Sequence, residues 1–203
     1  MPNQRKYQAC FSLLIAVAIN LAFFGSGLTP ALAGKAPPHK AYLPLILGPA
    51  GPLNGDFEKG RVTWVESSTH GWKLIFNANE LGVAPHGGSW AAWLGGALSE
   101  TATLQQSIRV GQFTPYLSYW RWIASDESSC ASNLARVTVN TTVVEQYALC
   151  AGANTHGWEE RVLDLSAFAG KNVSLQFTVG IGNSKNGNLF IDDVYFQASP
   201  NSK

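Results

Sequence analysis

The chain has 203 residues, and its 14 Lys and Arg almost balance its 13 Asp and Glu, giving a formal net charge of +1. With no basic cluster in the sequence, that balance argues against nucleic acid or an anionic membrane surface as the partner. The 46% hydrophobic content, with seven Trp, is enough for one domain with a real core.

Residues 1–33 read as an export signal. Arg5 and Lys6 precede an apolar stretch from Ala9 to Phe24, and Ala31-Leu-Ala33 has the small-x-small pattern of a cleavage site. The mature protein is then expected to begin at Gly34 and to be secreted into the extracellular space. No Cys follows the cleavage site, and no later apolar run approaches the ~18 residues that span a bilayer, so no membrane anchor is expected. Residues 34–53 are rich in Pro and have no useful period, which predicts an extended leader or linker. Its apolar run Tyr42-Leu-Pro-Leu-Ile-Leu47 either docks on the domain or on a partner, or stays a partly ordered tail.

Residues 54–197 carry short β-rich runs punctuated by Gly, Asn, Ser and Pro, with almost no helical periodicity. Strands are predicted at Val62–Glu66, Lys73–Phe76, Ser89–Leu94, Ala102–Ile108, Tyr116–Ala124, Ala135–Val139, Thr142–Leu149, Glu159–Leu163, Asn172–Val179 and Asn188–Phe196. Asn140-Thr141 reads as a tight hairpin turn and Asp164 to Gly170 as a helical turn between strands. The expected fold is all-β, an antiparallel two-sheet sandwich, with jelly-roll topology preferred because both termini bring acidic residues together. An immunoglobulin-like sandwich is the alternative, weakened because no Cys precedes the Trp-bearing strand. Residues 198–203 form a short tail.

Cleavage removes Cys10 and leaves Cys130 and Cys150 in an oxidising compartment, where pairing is the default. A bridge closing a loop of about 20 residues is worth roughly 3 kcal/mol in the chain-entropy model.

Two short motifs carry the site expectation. Phe190-Ile-Asp-Asp-Val194 places adjacent carboxylates within an apolar run, and one of two neighbouring strand residues is expected to face the core side. A lone carboxylate there needs a partner. No Lys or Arg lies in the run, so the partner is read as a hard cation that also collects Asp56 or Glu58 from Asn54-Gly-Asp-Phe-Glu58. Calcium suits such an all-oxygen set. The competing reading turns one Asp to solvent or to backbone N–H groups in a turn.

The Trp content invites a sugar-binding reading, although Trp also fills the core of a small sandwich. Along Tyr116-Leu-Ser-Tyr-Trp-Arg-Trp-Ile123, alternation puts Leu117, Tyr119, Arg121 and Ile123 on one face and Ser118, Trp120 and Trp122 on the other. Arg121 needs a polar partner, so its face is taken as the open groove, with Tyr119 as stacking platform and Trp120 and Trp122 in the core. In Thr69-His-Gly-Trp72 and Thr155-His-Gly-Trp158, Gly supplies a turn and Trp covers a core edge. His70 and His156 are read as exposed turn residues rather than a metal pair.

Signatures of catalysis are sparse. His86-Gly-Gly-Ser89 is similar to the oxyanion loop of esterases, but the mature chain has no G-x-S-x-G and no helices to support an α/β-hydrolase. H-E-x-x-H, P-loop and dinucleotide fingerprints are missing too. Asp126-Glu127 and Glu159-Glu160 are the acid pairs a glycosidase would use, and adjacent acids in loops are commonly just solvated. No enzymatic activity is expected.

The ordered set Asn54-Gly-Asp-Phe-Glu58, Trp64, His86-Gly-Gly-Ser-Trp-Ala-Ala-Trp-Leu-Gly-Gly96, Leu117-Ser-Tyr-Trp120, Leu149-Cys150, Gly157-Trp158, Asp164-Leu-Ser-Ala-Phe-Ala-Gly170 and Ile191-Asp-Asp-Val194 resembles the jelly-roll accessory modules of secreted bacterial proteins. Among these it is similar to the MAM-like domain of immune inhibitor A-type metallopeptidases, and more broadly to calcium-stabilised carbohydrate-binding modules with a galactose-binding-like jelly roll. The resemblance implies a noncatalytic adhesion or targeting role and a structural calcium held by Glu58 and Asp193, with Asp56 and Asp192 beside them and Glu100 as a further oxygen donor. Unlike the family's usual setting, the chain carries no peptidase or glycosidase domain. The expected function is an exported binding module for a glycan or a cell-surface or extracellular ligand. The alternatives are a protein-interaction or envelope component without sugar affinity, and an unrecognised hydrolase.

Overall fold

The computed structural model describes residues 50–201. The readings of an export signal and of the leader as far as residue 49 lie outside the described residues. None of the helices described is long and apolar enough to cross a membrane.

Ten strands are described: β1 (Val65–Ser68), β2 (Ile75–Asn77), β3 (Trp90–Gly95), β4 (Thr101–Arg109), β5 (Tyr116–Ser125), β6 (Leu134–Val139), β7 (Thr142–Ala148), β8 (Glu159–Asp164), β9 (Asn172–Gly180) and β10 (Gly187–Gln197). They form two five-stranded sheets, β1-β4-β9-β6-β7 and β2-β3-β10-β5-β8, antiparallel at every pairing. The fold is an all-β jelly-roll sandwich, as predicted. One short helix, α1 (Ala78–Leu81), was not foreseen. Four residues are too few to show a 3.6-residue period, and the helix is started by Asn77, whose side chain accepts the Asn79 N–H.

The strands form where apolar and polar residues alternate. On β4 and β9 that alternation sends Ala102, Leu104 and Ile108 and Val173, Leu175, Phe177 and Val179 into the interior. There Phe57, Trp64, Tyr119 and Phe177 meet in tilted and edge-on contacts. Phe57 is fully buried, a burial worth about 1.5–3 kcal/mol. A satellite cluster lies on the other side of the second sheet, where Leu81, Ala91 and Phe190 gather Phe76, Trp93, Trp122 and Trp158. Cys130 and Cys150 are bonded, their Cα atoms 5.0 Å apart.

Strand β5 keeps the predicted alternation, but its two faces are reversed. Leu117, Tyr119, Arg121 and Ile123 point into the sandwich, and Trp120 and Trp122 lie half-buried on its outside. Both faces carry aromatic residues, so alternation alone could not say which was inner. Burial of Arg121 is tolerated because β7 and β8 bring ion-pair partners to it.

Candidate functional site

The two acidic motifs meet, although their chain positions are far apart. Asn54 holds a turn by accepting the Lys59 N–H and donating to the Gly60 carbonyl, which leaves Phe57 in the core and Glu58 at the surface. The Val194 N–H donates to the Gly55 carbonyl at 2.9 Å. A Cβ on Gly55 would stand 1.9 Å from the Val194 carbonyl oxygen, so this approach requires glycine. Between the two motifs lies the segment from His86 to Trp90. Glu58 Oε1 accepts the N–H groups of Ser89 and Trp90, both at 2.8 Å.

The adjacent aspartates avoid the core by a route the sequence did not disclose. The β10–β5 register slips between Asp192 and Tyr195, and Asp193 adopts a left-handed conformation with φ 46°. Alternation already puts Asp192 on the outer face, opposite Trp120, and the bulge turns Asp193 to the surface while Val194 points inward. The expectation that one carboxylate faces the core is thereby corrected. Asp192 is nonetheless fully buried, because the His86 segment covers it. It accepts the N–H groups of His86, Gly87 and Asp193 at 2.9, 3.1 and 2.8 Å. Burial pushes its pKa up to about 7 despite those donors. Asp193 Oδ2 pairs with His86 Nδ1 at 2.6 Å, and His86 stacks on Trp120 with ring centroids 3.8 Å apart.

Among the described residues, no three His, Cys, Asp or Glu side chains are grouped as a metal cage. Two carboxylates remain beside the His86 segment. Glu58 and Asp193 flank the same Gly87-Gly88 backbone, each has one carboxylate oxygen with no donor among the hydrogen bonds described, and Asp56 borders a polar recess of about 350 Å³ together with Asp193 and the cationic Lys59. A calcium ion held there would have to draw the rest of its shell from carbonyls and water. Asp192 is occupied as the anchor of the His86 segment. Glu100 pairs with His70 instead, and His156 stays in an exposed turn.

Tyr119 and Arg121 do not line an open groove. Tyr119 is 0% exposed and donates to Glu145, and burial pushes its pKa well up. Arg121 is 9% exposed, 4.1 Å from the centroid of the Tyr147 ring, with Nη2 3.2 Å from Glu159. Arg161 donates twice to Glu145. This is a neutral ion-pair network that ties β7 to β5 and β8. It also engages Glu159, one of the acids considered for glycosidase chemistry. Its neighbour in that pair, Glu160, accepts from Ser118 and Tyr195.

An aromatic-walled recess lies elsewhere. A recess of about 440 Å³ is lined by Gly71, Trp72, Lys73, Leu74, Phe76, Trp93 and Gly95. Trp93 and Phe76 are tilted 49° to each other with centroids 5.5 Å apart, and Trp93 Nε1 donates to Asn188. Lys73 lies over the Phe76 ring and pairs with Glu80. Trp72, read from the sequence as covering a core edge, is 50% exposed. The signal that could have revealed the cavity is the run Trp72-Lys-Leu-Ile-Phe76 beside Trp90-Ala-Ala-Trp93. It places aromatics on neighbouring strands in excess of what one core face can absorb.

No protein-family model matches the chain, and no curated protein matches it in sequence. Solved structures do share its fold. The carbohydrate-binding module TmCBM61, solved with β-1,4-galactotriose, aligns with 16% identity over 74% of this chain and 100% of its own, with a TM-score of 0.53. The K3 cleaved adhesin domain of Lys-gingipain from Porphyromonas gingivalis W83 aligns with 16% identity over 74% of this chain and 99% of its own, with a TM-score of 0.50. At these identities the likeness is one of fold, a β-sandwich jelly roll.

Proposed function

We propose that the chain is an exported, noncatalytic binding module that recognises a glycan and is stabilised by calcium. The observation that carries this reading is the open cavity walled by Trp72, Phe76 and Trp93. A concave site with flat aromatic walls and a few polar groups at its rim suits the apolar face of a sugar ring, whose hydroxyls then meet the rim. The shared jelly-roll fold of a module solved with β-1,4-galactotriose makes that trisaccharide a sensible first probe.

The residues that would hold calcium are Glu58 and Asp193, with Asp56 beside them and backbone carbonyls and water completing the shell. The ion would neutralise carboxylates where the two ends of the domain meet. Asp192 would act beside it by fixing the backbone of His86 and Gly87.

An array of oligosaccharides that includes β-1,4-galactotriose tests the reading. Wild type is expected to bind, and Trp72→Ala and Trp93→Ala each to weaken binding about tenfold, the size of a central aromatic contact. A silent array would remove the glycan. A protein ligand is the second reading, favoured by one observation: Leu53, Val62 and Val65 are all exposed beside the edge strand β1, Val65 by 65%. A partner captured through that edge, and lost with Val65→Lys, would establish it.

A further inference from the structure

The three aromatic walls of the cavity are not held in the same way. Trp93 and Phe76 pack into the satellite cluster on the outer face of the second sheet. Trp72 belongs to neither hydrophobic cluster. It stacks on His70 instead, with ring centroids 4.9 Å apart and planes 23° apart. His70 is in turn tied through Nδ1 to Oε2 of Glu100. Glu100 is 1% exposed, and its other oxygen, Oε1, is buried with no hydrogen-bond partner. A buried carboxylate with an unused oxygen is costly unless its neighbour carries positive charge. The His70 imidazole is the group placed to carry it. Other charged groups nearby are engaged elsewhere: Lys73 with Glu80, and Glu66 with Arg61 and the Leu74 N–H.

We propose that Glu100 and His70 are a positioning pair for ligand binding: the buried carboxylate fixes the imidazole, and the imidazole holds Trp72 at the mouth of the cavity. Protonation of His70 strengthens both links in this chain. The charged ring forms an ion pair with Glu100 and a cation–π contact with the Trp72 face. Loss of the proton leaves a neutral hydrogen bond and an ordinary stack, and Trp72 is then less firmly placed. The sequence Thr69-His-Gly-Trp72 provides the means, because Gly71 at φ 72° turns the chain so that residues 70 and 72 come face to face. The consequence for affinity rests on the glycan-binding reading, whereas the coupling of His70 to Trp72 does not.

Two measurements separate these parts. The first is the indole N–H signal of Trp72 in nuclear magnetic resonance spectra, identified by its loss in Trp72→Phe and followed between about pH 5 and about pH 8, where imidazoles titrate. In wild type the signal is expected to move sigmoidally with pH. In His70→Gln it should stay still, and in Glu100→Gln it should be displaced from its wild-type position at a given pH because the imidazole is no longer fixed. A wild-type signal that does not titrate, or one that still titrates in His70→Gln, overturns the proposal. The second is the same oligosaccharide array read at both ends of that range. Wild type should bind roughly two- to fivefold more weakly at the higher pH, the scale of one exposed cation–π contact, and His70→Gln should show no such dependence. Equal wild-type binding at both pH values overturns the proposal and spares the glycan reading. A Trp72 signal that titrates as expected beside an array silent at both pH values sinks the glycan reading and upholds the positioning pair.

Discussion

At the scale of single residues, carboxylates are held by backbone N–H groups, by another side chain, or by both, as Glu66 is. Glu100 is of the second kind. Burial, the largest single influence, would raise its pKa, yet the His70 and Ser68 side chains together more than offset this and hold it below the ordinary value of 4.5. A carboxyl depressed in the folded state stabilises the fold above its unfolded pKa, and that stabilisation is lost as pH falls through the folded value. Glu100→Gln is therefore expected to flatten the acid side of the stability profile, in the region below about pH 4.5. Urea unfolding of both proteins at a series of pH values checks this, and an unchanged acid limb would count against the pair. At this scale the sequence was partly legible. The spacing of acids marked the place where the two ends meet, because carboxylates inside an apolar run demand an explanation wherever they occur. It could not show the bulge that lets Asp192 and Asp193 both avoid the core, since no residue type signals a left-handed Asp. Nor could it orient β5, where Tyr119 and Trp120 are equally good candidates for the interior.

At the scale of elements, the segment between β2 and β3 does most to shape the site. It runs through α1, covers Asp192, stacks His86 on Trp120 and ends at the two N–H groups held by Glu58. Gly88 lies at its tightest point, where φ is 57° and a Cβ would come within 2.3 Å of the Glu58 carboxyl. Gly88→Ala should thus cost roughly 1–3 kcal/mol, the usual scale for strained backbone, through strain and displacement of Glu58. A shift in the urea midpoint with an unchanged slope would show it. The strands themselves were legible because each alternates over enough residues to show its period. β1 was predicted at Val62–Glu66 but is Val65–Ser68, because the Asn54 side chain bonds the Gly60 and Val62 carbonyls and Trp64 Nε1 bonds the Asn54 carbonyl. Those long-range side-chain bonds hold the preceding residues in a turn, and local propensity does not register them. The aromatic cavity was missed for a similar reason: Trp72, Phe76 and Trp93 come from separate elements that converge only when the second sheet forms.

At the scale of the whole molecule, calcium would act on stability rather than shape, by joining a turn near the start of the domain to its final strand. A ligand that binds only the folded state adds about 2.7 kcal/mol at a hundredfold excess over its dissociation constant. Thermal unfolding with calcium and after chelation should differ accordingly, and Asp193→Ala should remove the difference. No shift in wild type would withdraw the metal and leave the backbone N–H groups as the sole support of these acids. The jelly roll was legible at this scale because strand count, turn spacing and the pairing of acidic ends all pointed the same way. The order of strands has a further consequence, for how the chain reaches this state. β10, the last of the described strands in chain order, occupies the centre of its sheet between β3 and β5, and it also makes the closing bond to Gly55. A nascent chain that lacks it has two unpaired strand edges and no floor beneath the His86 segment. Folding of the sheet must then wait for β10, the slow, non-local route expected of a high-contact-order sandwich. Before that moment the polypeptide remains an open thread, which any machinery handling unfolded chains can take up.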